Sequence, residues 1–167
     1  KNKFWNSNMS FSCLKNGEKI YSFQYTYAQW LELRAQRSQL NLKMPCCGAS
    51  AILKTSSLGT QFFAHKSKQD QNCHVSEGES IEHIFAKYLV SKALYEEGWQ
   101  VETEKRGQTE DGKCWIADIY ARHSDISKGM VVEVQWSAQS YEKTVYRQSL
   151  YDQSNVRCVW LFRNGRQ

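Results

Sequence analysis

The chain has little of what defines several classes of protein. Its 167 residues contain one proline and nine glycines, and no apolar run approaches the roughly 20 residues of a transmembrane helix. Collagen-like, low-complexity and membrane-spanning proteins are therefore excluded by composition. The opening run Lys1–Trp5 is too short and too polar for a secretory leader. With 41% hydrophobic and 23% charged residues, we expect a soluble, cytoplasmic protein of ordinary globular composition.

The ends of the chain favour a piece of a larger protein. The sequence begins with Lys1 rather than Met, and it stops at Gln167 directly after a strand-like stretch. We therefore expect further domains or partner proteins next to the part described by this sequence.

Charge is unevenly distributed along the chain. Residues 1–70 hold ten basic and three acidic side chains, a net +7, whereas residues 71–167 hold twelve basic and fourteen acidic ones, a net −2. A basic part joined to an acidic part is typical of a protein that attracts a polyanion such as DNA and holds a metal cation. An ordinary solvated surface would account for the charge equally well.

The six cysteines do not indicate a disulfide framework. Cys114 and Cys158 fall within predicted apolar strands, where we expect core thiols. The remaining candidates lie in turn-rich sequence: Cys46, Cys47, Cys73 and the neighbouring His65. In a reducing compartment this grouping favours a metal site over disulfides, although a hairpin that packs without metal is the alternative.

Residues 1–75 are predicted to form a basic N-terminal module. Asn16-Gly17 is typical of a hairpin turn, and Thr26 with Gln29 forms a capping box before a short helix. The turn Pro45–Gly48 leads into two further strands, which outlines a zinc-ribbon-like hairpin. The predicted elements are strands at residues 11–14, 19–23, 40–44, 51–54 and 61–65, and a helix at residues 26–39.

Residues 76–167 are predicted to form a second domain built on a mixed sheet. Ser76 and Glu79 form a capping box for a helix at residues 78–97, which Gly98 ends. The next elements are strands at residues 99–105, 114–122 and 130–136, a helix at 140–153, and a fully buried strand at 156–162. This αβββαβ order predicts an α/β (α+β) fold with at least four strands. No glycine-rich phosphate loop follows a strand, so nucleotide-binding folds of that kind have no support.

Two carboxylates stand in the middle of apolar strands, at Asp118 and Glu133. Gln135 shares the face of Glu133 because strand side chains alternate. A carboxylate among β-branched residues needs a compensating cation. Carboxylates from adjacent strands could hold Mg²⁺ or Mn²⁺ for phosphodiester hydrolysis, with Gln135 orienting water or phosphate. Ion pairs with Arg or Lys on a solvated sheet face are the alternative.

The helices of the second domain carry further candidates. Glu79, His83 and Lys87 recur every four residues on one stripe, so Glu79 could assist the carboxylates and the other two could contact phosphate. A cap at the helix N-terminus is the alternative role for Glu79. The second helix offers three more phosphate-binding candidates: Lys143, Arg147 and Tyr151.

These motifs together resemble a known group of nucleases. The sequence of helix, strand with Asp118, strand with Glu133-x-Gln135, and helix resembles the PD-(D/E)XK nuclease core, with Gln135 where the motif has Lys. Residues 40–163 resemble the competence protein CoiA family more specifically. The motifs of this resemblance are Phe62-Phe63-Ala64-His65, Glu79-Ser80 with His83 and Lys87, Glu133-Val134-Gln135-Trp136-Ser137, and Arg147 with Tyr151.

The resemblance implies a nuclease-like fold acting on DNA during its uptake and recombination in bacteria. It implies Asp118, Glu133 and Gln135 as the catalytic set, assisted by Glu79. For the N-terminal module it implies a zinc ion, for which the ligands in this chain are Cys47, His65, Cys73 and the adjacent Cys46. Met44 and Phe62 stand where the family has a Cys and a His. We expect zinc removal to unfold this module before the nuclease core.

Two other functions stay open from the sequence. A nuclease fold could hold DNA or a partner protein without cutting, which Gln135 in the Lys position favours. The chain could also be a targeting or interaction domain of a larger defence or recombination protein. Cleavage of DNA that depends on Mg²⁺ distinguishes the nuclease from both.

Overall fold

The computed structural model describes residues 9–67 and 79–164. Within these ranges the protein is mixed α+β, with three α-helices and three sheets. No described helix combines the length and the apolar character of a membrane span. The elements are β1 (Ser12–Lys15), β2 (Glu18–Tyr21), α1 (Tyr27–Ala35), β3 (Leu42–Lys43), β4 (Ala51–Thr55), β5 (Gln61–His65), α2 (Ile81–Glu96), β6 (Gln100–Gln108), β7 (Cys114–Arg122), β8 (Met130–Gln135), α3 (Tyr141–Gln153) and β9 (Arg157–Phe162).

The chain divides into two compact units, Lys1–Tyr88 and Leu89–Gln167. This division falls within α2, whereas the boundary predicted at residues 75 and 76 lies outside the described residues. The first unit contains an antiparallel sheet of order β2-β1-β3 and the antiparallel hairpin β4-β5. The predicted turn at Asn16-Gly17 is confirmed, since both residues have positive φ and join β1 to β2.

The first unit has a hydrophobic core of its own. Trp30 of α1 is fully buried and packs edge-on against Phe63 of β5, with 5.1 Å between the ring centroids. Met44 also belongs to this core. The capping box of Thr26 and Gln29 is confirmed, but α1 ends at Ala35 rather than near residue 39, because the chain turns at Gln36.

The second unit contains a four-stranded mixed sheet of order β6-β7-β8-β9. The first three strands are antiparallel neighbours, and β9 lies parallel to β8 after the crossover through α3. The predicted chain order of helix, three strands, helix and strand is thus observed. Leu150 and Tyr151 of α3 pack with Trp115, Ala117 and Val131 of the sheet.

The start of α2 differs from the prediction. The helix begins at Ile81, and Ser80 caps it by accepting a hydrogen bond from the His83 amide. Glu79 therefore precedes the helix, and the proposed cap at Ser76 lies outside the described residues. Gly98 ends the helix as predicted, with φ +86°.

The strand predicted to be fully buried, β9, is an edge strand with three exposed apolar side chains. Val159 is 42% exposed, Leu161 39% and Phe162 61%. An apolar run does not distinguish a central strand from an edge strand, because both can pack one face against a helix. The expected core thiol is wrong for Cys114, which is exposed at the start of β7, whereas Cys158 of β9 is partly buried and packs against the core.

Candidate functional site

The candidate site of the second unit lies where β7 and β8 diverge. The antiparallel ladder between these strands ends at the pair Ile119 and Val132, one position before Asp118 and Glu133. Beyond that pair the Val134 amide donates to Oδ2 of Asp118 at 2.9 Å. The Asp118 side chain thereby replaces the main-chain acceptor that the ladder no longer supplies. Its carboxylate is held in place by the strand that carries Glu133.

Glu104 of β6 faces Asp118 and was missed by the sequence analysis. The β6–β7 ladder pairs Thr103 with Ile119 and Lys105 with Ala117, and it skips the position between them. Glu104 there has φ +53°, a conformation uncommon for residues other than glycine. Its carboxylate oxygen lies within 4.8 Å of a carboxylate oxygen of Asp118. Local backbone distortion of this kind leaves no mark in a pattern of apolar and polar residues.

Glu133 is buried and held from α3. Its side chain is 1% exposed, and its Oε2 lies 2.6 Å from Nη2 of Arg147. The Tyr151 hydroxyl donates to Oε1. Arg147 and Tyr151 also donate to the Ile116 carbonyl, at 3.4 and 3.3 Å. Arg147 and Tyr151, two of the residues predicted to contact phosphate, therefore bond to Glu133 and to the β7 backbone.

Burial makes the Glu133 carboxyl a weaker acid than a glutamate in water. Burial first, and then the charge of Asp118, raise the pKa of Glu133 from 4.5 to about 7. The Tyr151 hydrogen bond and the Arg147 charge act in the opposite direction. Burial and the hydrogen bond to Glu133 also raise the pKa of Tyr151, so this hydroxyl stays a donor. With a pKa of about 7, the Glu133 carboxyl is partly protonated near neutral pH.

The other predicted residues of this unit lie at its surface. Gln135 is partly exposed, and its side-chain amide donates to the Ser137 carbonyl. Lys143 is exposed in the first turn of α3. Both are accessible, and the roles predicted for them stay predictions.

The remaining helical candidates belong to the first unit. Oε1 of Glu79 lies 3.0 Å from Nζ of Lys87 and 3.5 Å from Nδ1 of His83. Lys87 is 2% exposed, so this cation is buried with Glu79 as its partner. The spacing of four residues thus brings the three side chains together as predicted, around the Glu79 carboxylate. Their contribution to catalysis or DNA binding stays a prediction.

A second candidate site, in the first unit, is a cluster of two thiols and an imidazole. Nε2 of His65 lies 3.6 Å from Sγ of Cys46 and 3.2 Å from Sγ of Cys47, and the sulfurs are 3.7 Å apart. Tetrahedral zinc, with bonds of about 2.3 Å to sulfur and about 2.0–2.1 Å to nitrogen, separates such ligands by about 3.5–3.8 Å. The spacings of 3.7 and 3.6 Å fall within this range, whereas the 3.2 Å between Cys47 and His65 is shorter than tetrahedral zinc gives.

The tight turn explains how two adjacent cysteines both reach His65. The Gly48 amide bonds back to the Met44 carbonyl at 2.8 Å, and Gly48 has φ +72°. Met44 itself is 2% exposed in the core, so it is a packing residue. The predicted fourth ligand, Cys73, lies outside the described residues.

Among the described residues, the sulfur and imidazole donors of Cys46, Cys47 and His65 suit zinc, and the carboxylate oxygens of Glu104 and Asp118 suit a hard divalent cation. Comparison of the chain with protein-family models and with curated proteins finds no match to either.

Proposed function

We propose that this chain is a Mg²⁺- or Mn²⁺-dependent DNA nuclease domain that hydrolyses phosphodiester bonds. The observation that carries the proposal is the placement of Asp118, Glu104 and buried Glu133 at the divergence of β7 and β8. Where the strands diverge, main-chain groups no longer bond to each other, and the Val134 amide instead holds the Asp118 carboxylate in place. The backbone outlier at Glu104 is also typical of functional sites, where such conformations concentrate.

The donor set fits a hard cation. Asp118 and Glu104 supply carboxylate oxygens within 4.8 Å of each other, the ligand type that Mg²⁺ prefers. Glu133 is the third carboxylate that could join them, and its proton would leave on doing so. A cation bound there would polarise the scissile phosphate and lower the pKa of a bound water.

The chain's own residues hold and tune this site. Arg147 and Tyr151 fix the Glu133 carboxyl by one hydrogen bond to each oxygen, so it is positioned before a substrate arrives. Gln135 lies two residues further along β8, where it could orient water or phosphate. Lys143 offers a cation to the DNA backbone. Glu79, with His83 and Lys87, is proposed to assist as the resemblance implies.

For the fold, we propose a PD-(D/E)XK core of the CoiA type in the second unit and a zinc-ribbon-like module in the first. The β6-β7-β8-β9 order with a parallel last pair supports the core. The cluster of Cys46, Cys47 and His65 supports a structural zinc, which Cys73 would complete.

A second candidate function is a module of the same fold that binds DNA or a partner protein without cutting. The observation in its favour is that both Glu133 oxygens accept hydrogen bonds within the protein. The Gln135 amide is likewise bonded to Ser137. A closed cluster of this kind needs no metal to be satisfied.

Cleavage of labelled DNA by the purified chain tests the proposal. We expect products with Mg²⁺ or Mn²⁺ and none with EDTA. Asp118→Ala and Glu104→Gln should each lower the rate by more than about a hundredfold, because even outer-shell partners of a metal cost about 10- to 100-fold. Glu110→Gln is the matched control, since it removes an exposed carboxylate just beyond β6 and should leave the rate unchanged.

Two further measurements separate the candidates. Gln135→Lys restores the commoner motif and should retain activity, whereas Gln135→Ala should lose less than the carboxylate variants because it removes no charge from the metal site. DNA binding by Asp118→Ala should be equal or stronger. If the unmodified chain cuts no DNA with either metal, and Asp118→Ala has unchanged metal affinity, the binding module replaces the nuclease.

A further inference from the structure

A cleft between α3 and β9 is not used by the proposed catalytic groups. It has a volume of about 340 Å³, and its lining includes Val145 and Gln148 of α3 and Trp160 and Phe162 of β9. Small-molecule pockets range from about 300 to about 1,000 Å³, so this cleft has room for a group of the size of one or two aromatic rings.

The two rings on β9 form the apolar wall of the cleft. Trp160 and Phe162 are near-parallel, with an angle of 16° between their planes and 6.0 Å between their centroids. Phe162 is 61% exposed, and Val145 beside it is 47% exposed. An exposed ring beside a partly buried one leaves an aromatic face on which a ligand can stack.

Hydrogen bonds fix the inner ring in its orientation. The Trp160 indole N–H donates to Oε1 of Gln148 at 2.8 Å, and Nε2 of Gln148 donates to Oδ1 of Asp152 at 2.8 Å. Two turns of α3 therefore hold the indole. A ring fixed in this way loses little conformational entropy when a second ring stacks on it.

One cation lies beside the inner ring and indicates the charge of the ligand. The Arg147 guanidinium lies 5.5 Å from the Trp160 ring. Asp152 brings a negative charge to the other end of the cleft, where its Oδ1 accepts from Gln148. A ligand with an aromatic ring and a flanking negative charge, its charge turned toward Arg147, matches this distribution.

The cleft adjoins the proposed catalytic residues through the parallel ladder. In the β8–β9 register Glu133 is paired with Trp160, and Gln135 with Phe162. Arg147 contacts both sides, since it bonds to Glu133 and lies over Trp160. If a base of a DNA strand lay in the cleft, the phosphates of that DNA strand would be within reach of this edge of the β-sheet.

We propose that Trp160 and Phe162 stack against an unpaired base of a DNA strand, with Arg147 next to its phosphate. This inference rests on the proposed nuclease function and names its substrate class. Bases in a duplex stack on one another and offer no free face, so the cleft selects single-stranded or frayed DNA.

Binding in EDTA, which prevents cleavage, tests the inference directly. The probes are a fluorescent oligothymidylate, an abasic strand of equal length and charge, and a closed hairpin duplex. We expect the unmodified chain to prefer the oligothymidylate over both others. Phe162→Leu should weaken that binding about fivefold or more, since a base stacked on an aromatic ring is worth about 1–3 kcal/mol.

Matched variants isolate the ring. Phe162→Tyr keeps a ring at this position and should bind like the unmodified chain, whereas leucine keeps only apolar volume. Tyr27→Leu removes a ring that is 64% exposed in the first unit and should change nothing. Equal binding of the base-bearing and abasic strands, or unchanged binding by Phe162→Leu, would overturn the inference. A third outcome would also overturn the inference. It is that the chain forms a dimer through Phe162, which the Phe162→Leu change dissociates and added oligothymidylate does not dissociate.

The experiments distinguish a failure of the nuclease proposal from a failure of the base-stacking proposal. Cleavage of DNA that depends on Asp118 but not on Phe162 would leave the nuclease and remove the base-stacking site. Base-dependent binding without any cleavage would leave the stacking site and remove the nuclease.

Discussion

At the scale of single residues, the buried Glu133 carboxyl should make stability depend on pH. Its pKa is raised from 4.5 to about 7 in the folded protein, so the folded chain keeps this proton after the unfolded chain has lost it. As pH rises from about 4.5 to about 7, Glu133 therefore lowers stability, by roughly 3 kcal/mol at most. Below this window its penalty is absent, and above it the penalty is complete.

Chemical denaturation in EDTA at pH 4.5 and pH 7.5 measures this effect. The unmodified chain should lose more free energy of unfolding across the range than Glu133→Gln, whose amide does not titrate. Glu110→Gln, at an exposed position, should keep the full pH dependence. Parallel curves for the unmodified chain and Glu133→Gln would mean that the carboxyl is already charged in the folded protein near pH 4.5.

The pattern of residues in the sequence identified the carboxylates of the site, but it did not identify the side chains that bond to them. Asp118 and Glu133 could be singled out because a charge in an apolar strand needs a partner. Their partners could not, since Arg147 and Tyr151 at one helical spacing are equally compatible with phosphate, solvent or a buried carboxyl. Glu104 was invisible because its importance comes from a positive φ that local sequence does not encode.

At the scale of elements, the close packing of β6 against the Trp115 side chain of β7 requires one glycine, Gly107. Gly107 pairs with Trp115, and a Cβ at this position would lie 2.0 Å from the indole ring. The ring cannot easily move away, since its N–H donates to Ser154 at 2.8 Å and it packs edge-on against Tyr151. Gly107→Ala should therefore cost about 1–3 kcal/mol of stability.

A double-mutant cycle checks this origin. Trp115→Phe removes the indole atoms nearest to the added methyl group, so the double variant should be more stable than the sum of the two single changes predicts. Additive losses would mean that Gly107→Ala acts through β-strand propensity or through the unfolded state.

The turn at residues 44–49 yields a prediction about zinc. Protein purified without chelator should contain one zinc per chain, and Cys46→Ser, Cys47→Ser and His65→Ala should each reduce that content. Cys114→Ser, which changes an exposed thiol of the second unit, is the control. Clearly less than one zinc in the unmodified protein would remove the proposed centre.

The core of the first unit modifies the expected response to zinc loss. Trp30 and Phe63 are fully buried there, so the unit does not depend on the metal as a minimal zinc hairpin would. We expect chelation to lower its melting temperature while the far-UV circular dichroism of the chain stays native-like at room temperature. Unfolding on chelation alone would restore the expectation drawn from the sequence.

The sequence predicted the ends of helices and the position of a turn well where a capping residue or a turn-forming residue determines them. Asn16-Gly17, the Thr26 capping box and Gly98 each act through backbone geometry within a few residues, and each is found at its predicted place. The exposure of β9 could not be predicted, because it depends on which strand lies beside it in the sheet. The start of α2 was misplaced because Ser76 and Ser80 are both good caps.

At the scale of the whole molecule, the uneven charge predicts where nonspecific DNA affinity originates. Residues 1–70 carry a net +7, whereas the rest of the chain carries −2. Arg34, Arg37, Lys54 and Lys66 are exposed, so they are available to phosphate. Changing all four to Gln should weaken DNA binding at low salt. It should also flatten the decline of log affinity with log salt by up to about 0.9 for each residue that neutralised a phosphate.

A variant with the same loss of charge in the second unit provides the control. Arg106, Arg122, Lys128 and Arg157 are also exposed, and changing all four to Gln should alter the salt slope much less. Both variants lower the net charge by four, so a general electrostatic effect would weaken them equally. Equal slopes for the two variants, or binding by the unmodified chain that is flat between 50 and 200 mM salt, would contradict a DNA-attracting role for the first unit. Substitution is sharper than removing residues 1–43, because that deletion also takes Trp30 out of the core.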